Sequence, residues 1–328
     1  MTLPVDPASW NIETSLPKLS GLTMGDELVR IAQTREDVVV LTADLASSNG
    51  LNVFADRFPE RFVNTGIAEQ NMMSVGAGLA ASGFTVYVST FASFASLLCA
   101  EQLRTDLAYT KMKVRVIAHH AGIAMGFYGT SHHAVEDIAV TRAIGNMTVV
   151  SPCDGAAVRG VIRSTLDVDG PVYIRIGRGA EKVVYEDVPT FEHGRFMTLR
   201  EGNDATIIAT GIGVKAALDA AELLTKDGLA VRVLDAVYLK PLDVEAVIAA
   251  ARETGTILTV EEHNPHGGLG GAVAEVLAEA SQQIGRSVRF RRHALPDDYV
   301  LVAPPTHLYR HYGLTGPGVA EALKGLLA

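Results

Sequence analysis

The chain has 328 residues, is 48% hydrophobic and 20% charged, and carries 28 basic against 37 acidic residues for a net charge of −9. That length suggests two globular domains or one large one, each able to bury a sizeable core. The acidic balance, with no Lys/Arg cluster to reverse it, excludes a general affinity for nucleic acid or anionic membrane.

Residues 1–20 hold Pro4, Pro7 and Pro17 without a sustained period, and are expected to form an N-terminal arm lying on the body or on a partner. The start lacks both a basic segment and an apolar core, so no secretory signal is expected and the cytoplasm is the expected compartment. From Met24 a helical pattern leads into apolar strands: Val38-Val39-Val40-Leu41, Phe62-Val63-Asn64, Thr85-Val86-Tyr87-Val88, Val114 to Ala118, Thr148-Val149-Val150 and Val172 to Arg175. Helical stretches separate most of them. This alternation predicts a doubly wound α/β domain over 21–185, its mostly parallel sheet covered on both faces and its ligands lying beyond the carboxyl ends of the strands. Asp44, Glu69, Thr90, His120 and Arg178 fall at or after such ends.

Between Gln70 and Ala100 there is no charged residue, a run long enough to span a bilayer. Ser82-Gly83 interrupts it, and Phe84-Thr85-Val86-Tyr87-Val88 is β-branched and aromatic, which predicts a buried strand between two helices. The periodicity lapses over a linker at 186–202. A second α/β domain is predicted over 203–328, with strands at Thr206–Ala209, Val231–Leu234, Thr256–Val260 and Val288–Phe290 and a closing helix from about Pro317. Here Gly211-Ile212-Gly213, followed by Asp235 at the end of the next strand, has the layout of a dinucleotide fingerprint; a strand-to-helix turn that needs glycine for packing explains it better. Cys99 and Cys153, the two cysteines, show no metal-ligand spacing, so neither a disulfide framework nor a metal site is expected.

The stretch that organises the chain is Asn64-Thr65-Gly66-Ile67-Ala68-Glu69-Gln70. A short strand passes through a glycine into a helix and leaves Glu69 in the first turn, facing the positive helix end and its spare N–H groups. Small residues in the following helix allow close packing, so Glu69 is expected to be partly buried. A poised carboxylate of that kind is a functional candidate, although a solvated glutamate complementing the dipole fits this stretch too. Histidines gather nearby: His119 and His120 end one strand, while His132 and His133 lie in the loop Gly126 to His133. Two pairs flanking one loop suggest a polar pocket able to move protons or bind hydroxyl groups and phosphate. Ser47-Ser48-Asn49-Gly50 offers hydroxyls and N–H groups to an anion, and Arg178 a bidentate donor.

With these residues in view, the sequence resembles the C-terminal half of transketolase from about Leu22 to its end. The resemblance rests on Ala43-Asp44-Leu45-Ala46-Ser47-Ser48-Asn49, Gly66-Ile67-Ala68-Glu69-Gln70, Thr90-Phe91-Ala92-Ser93-Phe94, Gly129-Thr130-Ser131-His132, and Glu261-Glu262-His263-Asn264 with Gly267-Gly268-Leu269-Gly270. It implies a pyrimidine-binding domain followed by a small C-terminal domain, in a thiamine diphosphate enzyme that moves a two-carbon ketol unit from a ketose to an aldose. Glu69 then matches the glutamate that bonds the aminopyrimidine ring, Phe91 and Phe94 the aromatic contacts to that ring, and Asp44 the aspartate near the cofactor. His132 matches the histidine contacting the reacting substrate, and His120, Ser48 and Arg178 positions that hold its phosphate.

Two departures stand out. Gly21 aligns where the family usually has a phosphate-binding arginine, and Tyr128 where it has an aspartate reading a sugar hydroxyl. Together they imply an altered sugar specificity. The family's N-terminal domain, whose Gly-Asp-Gly and asparagine motif holds the diphosphate and a divalent metal such as Mg2+, has no counterpart. The resemblance therefore implies one half of a split enzyme, in a heterotetramer with an N-terminal-half subunit. The beta chain of a 2-oxo acid dehydrogenase, deoxyxylulose phosphate synthase and a non-catalytic regulatory subunit share enough of the pattern to stand as rivals.

Overall fold

The computed structural model describes residues 23–178 and 181–328; the expected N-terminal arm and Gly21 lie outside the described residues. Twelve strands are described: β1 Val38–Thr42, β2 Phe62–Asn64, β3 Thr85–Phe91, β4 Val114–His119, β5 Thr148–Val150, β6 Val172–Arg175, β7 Met197–Arg200, β8 Ala205–Ala209, β9 Val231–Asp235, β10 Tyr238–Lys240, β11 Thr256–Val260 and β12 Arg289–His293. They form two mostly parallel sheets, one in the order β10-β5-β6-β4-β3-β1-β2, the other β12-β11-β8-β9-β7. The α/β class expected from the alternation is the one observed.

β1, β3 and β4 are buried along their whole length, which is why they read as unbroken apolar runs. The uncharged stretch after Glu69 folds as the helix Glu69–Ala81, then β3, then a π-helical turn at Phe94–Leu98. Phe84 stays outside the strand, which instead runs on to Phe91. Among the described residues no helix is long and apolar enough to cross a membrane.

Two strands depart from the sequence expectation. β7 lies inside the segment expected to be a linker, pairing antiparallel with β9. β10, from the second half of the chain, pairs antiparallel with β5 and closes an edge of the first sheet, so the sheets do not follow the expected division of the chain. Both are short edge strands, and edge pairing leaves little hydrophobic pattern to read.

Arg115, in the middle of β4, is fully buried and donates to the carbonyls of Thr165 (3.0 Å), Leu166 (2.9 Å), Val168 (2.6 Å) and Gly170 (3.1 Å). It thereby satisfies the C-terminal end of the helix Gly155–Thr165, whose other end is capped by Asp154 accepting from the Ala157 N–H. In the second half, Gly213 packs where a Cβ would lie 2.9 Å from the Val260 carbonyl, and Asp235 is fully buried with its Oδ2 bonded by the Tyr185 hydroxyl at 2.8 Å. That arrangement serves close packing and leaves no acidic side chain exposed to a ribose.

Candidate active site at the carboxyl ends of the first sheet

β2 lies on one side of β1 and β3 on the other, so the chain reverses its winding at β1. In open α/β sheets such a reversal opens a crevice beyond the strand ends. Asn64, the last residue of β2, locks the two turns that border it. Its Oδ1 accepts the N–H groups of Asp44 and Gly66, both at 3.0 Å, and its Nδ2 donates to Asp44 Oδ1 at 3.1 Å. Asp44 holds a left-handed φ of 60°, as does His120 at the end of β4. Such conformations in non-glycine residues cluster at functional sites.

Glu69 opens the helix Glu69–Ala81 and is 8% exposed. Among the described residues no hydrogen-bond donor reaches its carboxylate. Its helix packs on β3 and on the Phe94–Leu98 turn, and the Gln70 Nε2 donates to the Leu98 carbonyl at 2.9 Å. Behind it, burial and then the charge of Glu69 push the Cys99 thiol up to about 12. Cys99 is thus a packing residue.

The rings form one group. Phe91 lies 5.8 Å from Phe94, 4.4 Å from His120 and 6.0 Å from His132, while His132 lies 5.3 Å from Phe94 and 4.8 Å from Tyr128, all between centroids. His119 and His120 meet through their Nδ1 atoms, so one ring donates to the other. Burial, and then the neighbouring His119, Arg178 and His132, hold His120 well below the ordinary histidine range, which keeps it neutral. Burial also lowers His132, whose Nδ1 lies 2.9 Å from the Ser131 hydroxyl. His133 is buried, and desolvation brings it down to about 4; neither ring nitrogen has a partner among the described residues.

Arg178 is half-buried beside His120 and Tyr128, and its Nη1 is buried without a partner among the described residues. Ser48 stands exposed in the turn after β1; that turn is held by Asn49 Nδ2 donating to Ser89 Oγ at 2.9 Å, and no contact joins Ser48 to the rings. Seven candidates therefore gather at one end of the sheet: Glu69, Phe91, Phe94, His120, Tyr128, His132 and Arg178. Asp44 and Ser48 occupy its rim. Sequence reasoning missed Asn64, and it missed the buried Arg175–Asp137 pair at 2.9 Å, which supports the far side of the histidine loop. A charged residue at the end of the apolar run Val172-Tyr173-Ile174 was the available signal.

Residues 21–182 match the model of the transketolase pyrimidine binding domain, and residues 194–319 that of the transketolase C-terminal domain. A putative transketolase C-terminal section from Methanocaldococcus jannaschii is 40% identical over 314 residues, covering 93% of this chain and 97% of that protein. The chain belongs to the transketolase family. A subunit of the apulose-4-phosphate transketolase from Phocaeicola vulgatus is 40% identical over 297 residues, covering 90% of this transketolase chain and 93% of its own. A solved structure described as a split gene transketolase, inactive beta4 tetramer, superposes with a TM-score of 0.86 at 41% identity, covering 94% of this chain and 98% of that one. Membership implies dependence on thiamine diphosphate. The residues present fit the pyrimidine end of that coenzyme: a carboxylate that takes no donor from the described residues and, at the end of β3, a pair of phenylalanine rings 5.8 Å apart with two buried hydroxyls, those of Thr90 and Ser93, that have no partner among the described residues.

Proposed function

We propose that this chain is the C-terminal half of a split transketolase. Joined to a partner subunit that holds the diphosphate and a Mg2+ or similar ion, it moves a two-carbon ketol unit from an atypical phosphorylated ketose to an aldose. The observation that carries the proposal is the carboxylate of Glu69, on a side chain 8% exposed, which takes no donor from the described residues. Its hydrogen-bonding capacity is left open to a ligand's N–H.

Thiamine diphosphate, when bound, supplies the carbon nucleophile and electron sink for carbon–carbon cleavage. Glu69 accepts a hydrogen bond from the pyrimidine ring, and Phe91 and Phe94 flank that ring with apolar surface. Asp44 borders the same pocket. His120 and His132, both held neutral, can each donate and accept, which suits them to bind sugar hydroxyls and to carry a proton at a ring nitrogen. Arg178, with His120 and Ser48, meets the substrate phosphate.

The substitution of Tyr128 for the family's aspartate puts a ring against His132 where a carboxylate acceptor would stand. This supports a donor lacking the usual hydroxyl pattern, as does the similarity to the apulose-4-phosphate enzyme. A partner is supported by Ile67, Leu97 and Leu98, exposed at 83%, 55% and 48% near the start of the Glu69 helix, and by the inactive beta4 tetramer described for a 41%-identical chain. Two copies of each chain make the proposed assembly.

The test is co-expression with a chain bearing the diphosphate-binding half, followed by ketol-transfer assays over a panel of phosphorylated ketoses. Turnover by the pair alone supports the proposal; full turnover by this chain without a partner overturns it. Equal rates on xylulose 5-phosphate and every modified ketose would remove the altered specificity.

A further inference from the structure

We infer that Glu262, contributed by the second domain, is a positioning residue that fixes the loop carrying His120 and His132 and thereby the placement of both imidazoles. The inference rests on the reading of those histidines as substrate-contacting groups.

The loop leaves β4 at His120 and returns at Val135. Its stem is closed by an antiparallel bridge in which the Gly122 N–H donates to the Ala134 carbonyl at 3.0 Å and the Ala134 N–H to the Gly122 carbonyl at 2.9 Å. Glu262 follows β11 and is 3% exposed. Its Oε1 accepts the N–H of Ile123 at 2.8 Å, and the Tyr309 side chain lies near the same carboxylate. Gly122 sits at φ +64°, and a Cβ there would lie 2.1 Å from the Glu262 carboxyl carbon, so the carboxylate lies directly on the loop backbone.

The returning strand of the stem is tied to the same segment, in part through Arg175 at the end of β6. Arg175 Nη2 donates to the carbonyls of Ala134 (3.2 Å) and Glu262 (2.9 Å), while the Asn264 N–H donates to the Val135 carbonyl at 2.8 Å. Nearer the tip, the Ala303 N–H donates to Gly126 O at 3.3 Å. The second domain thus grips the loop along its backbone, away from the rings that line the crevice. The Ile123 N–H donates to this side chain, so an acceptor is what the position requires. A misplacement of about 1 Å in a group that touches the reacting atoms is enough to cost on the order of a hundredfold in rate.

The experiment uses the assembled two-chain enzyme with Glu262→Met, which keeps volume and removes the acceptor, and Glu262→Gln, which keeps an acceptor carbonyl. Glu262→Ala, which removes the acceptor together with its volume, decides the matter if the Met variant fails to assemble. The readouts are kcat, the KM for the donor ketose, coenzyme affinity, and amide exchange across residues 122–132. In the Met and Ala variants kcat should fall about tenfold or more, coenzyme affinity should stay within about twofold, and the loop amides should exchange faster, with Gln restoring most of the rate. Loop exchange unchanged in Met or Ala, or Gln no better than Met, overturns the inference. A wild-type pair without ketol transfer would instead overturn the functional reading, and the exchange measurement would still decide whether Glu262 holds the loop.

Discussion

Replacing Glu69 with glutamine separates a carboxylate that works on a ligand from one that works for the fold. The two side chains have nearly the same shape, and the site is 8% exposed with no donor from the described residues, so the exchange removes charge and little else. In the assembled enzyme the lost interaction is a hydrogen bond to a charged acceptor, worth about 1.5–3 kcal/mol. If that bond is needed in the rate-limiting state, kcat should fall about 10- to 150-fold, at 1.4 kcal/mol per factor of ten. In the isolated chain the carboxylate takes no donor from the described residues, so its exchange removes no contact of the fold, and Glu69→Gln should leave stability within about 1 kcal/mol. The assays are ketol transfer by the reconstituted pair at saturating coenzyme and urea unfolding of the chain alone. A variant that keeps kcat within about twofold, or one that loses more than about 1 kcal/mol of stability, would show that Glu69 serves the fold and refute the reasoning.

Arg178→Met should raise the KM for a phosphorylated donor about 30- to 100-fold through loss of a charge-assisted contact, with coenzyme affinity intact; an unchanged KM in steady-state assays would move the phosphate elsewhere. Asp137→Ala strands the Arg175 guanidinium, 4% exposed, inside the domain, and should cost about 3–5 kcal/mol in denaturant unfolding. Asp235 gives a pH signature. Burial first, and then the charge of Asp154, raise its carboxyl from 3.8 to about 7, with the hydrogen bonds from Tyr185 and Cys153 opposing. The folded chain therefore keeps a proton that the unfolded chain releases above about pH 4, so this group's contribution to stability falls between about pH 4 and 7 and is flat beyond, a change of about 4 kcal/mol. Asp235→Asn should abolish that slope, gaining on the wild type as pH rises; parallel stability curves for the two proteins would contradict it.

Legibility in the sequence followed burial. β1, β3, β4 and β6 are covered on both faces and announced themselves as apolar runs, whereas β7 and β10 are short edges whose pairing depends on residues far along the chain. The Glu69 turn was readable because strand, glycine and helix follow one another in nine residues, from Asn64 to Met72, and the geometry is local. The ring cluster was readable only as separate motifs; that Phe91 stacks on His120 is a consequence of β3 and β4 pairing in register, Phe91 opposite His119. Glu262 gave no local sign of its contact, since its partner Ile123 lies 139 residues away. What a chain buries locally leaves a pattern, while what it joins across distant segments leaves isolated polar residues in apolar surroundings, as at Arg175 and Arg115.

The same contrast bears on why this half-site is built as it is. Glu69 takes no donor from the described residues, Ile67, two residues before it, is 83% exposed, and Leu97 and Leu98 stand exposed in the turn that Gln70 ties to its helix. An isolated chain would leave that acceptor open and hold the apolar side chains in water, the latter at a cost of order 1–3 kcal/mol each. Both features lie at one edge of the sheet, so one covering surface and a ligand donor can serve them together. On the proposed reading, coenzyme capture and subunit association are then coupled, because each completes the surroundings that the other requires. A carboxylate serving only its own helix would need neither event.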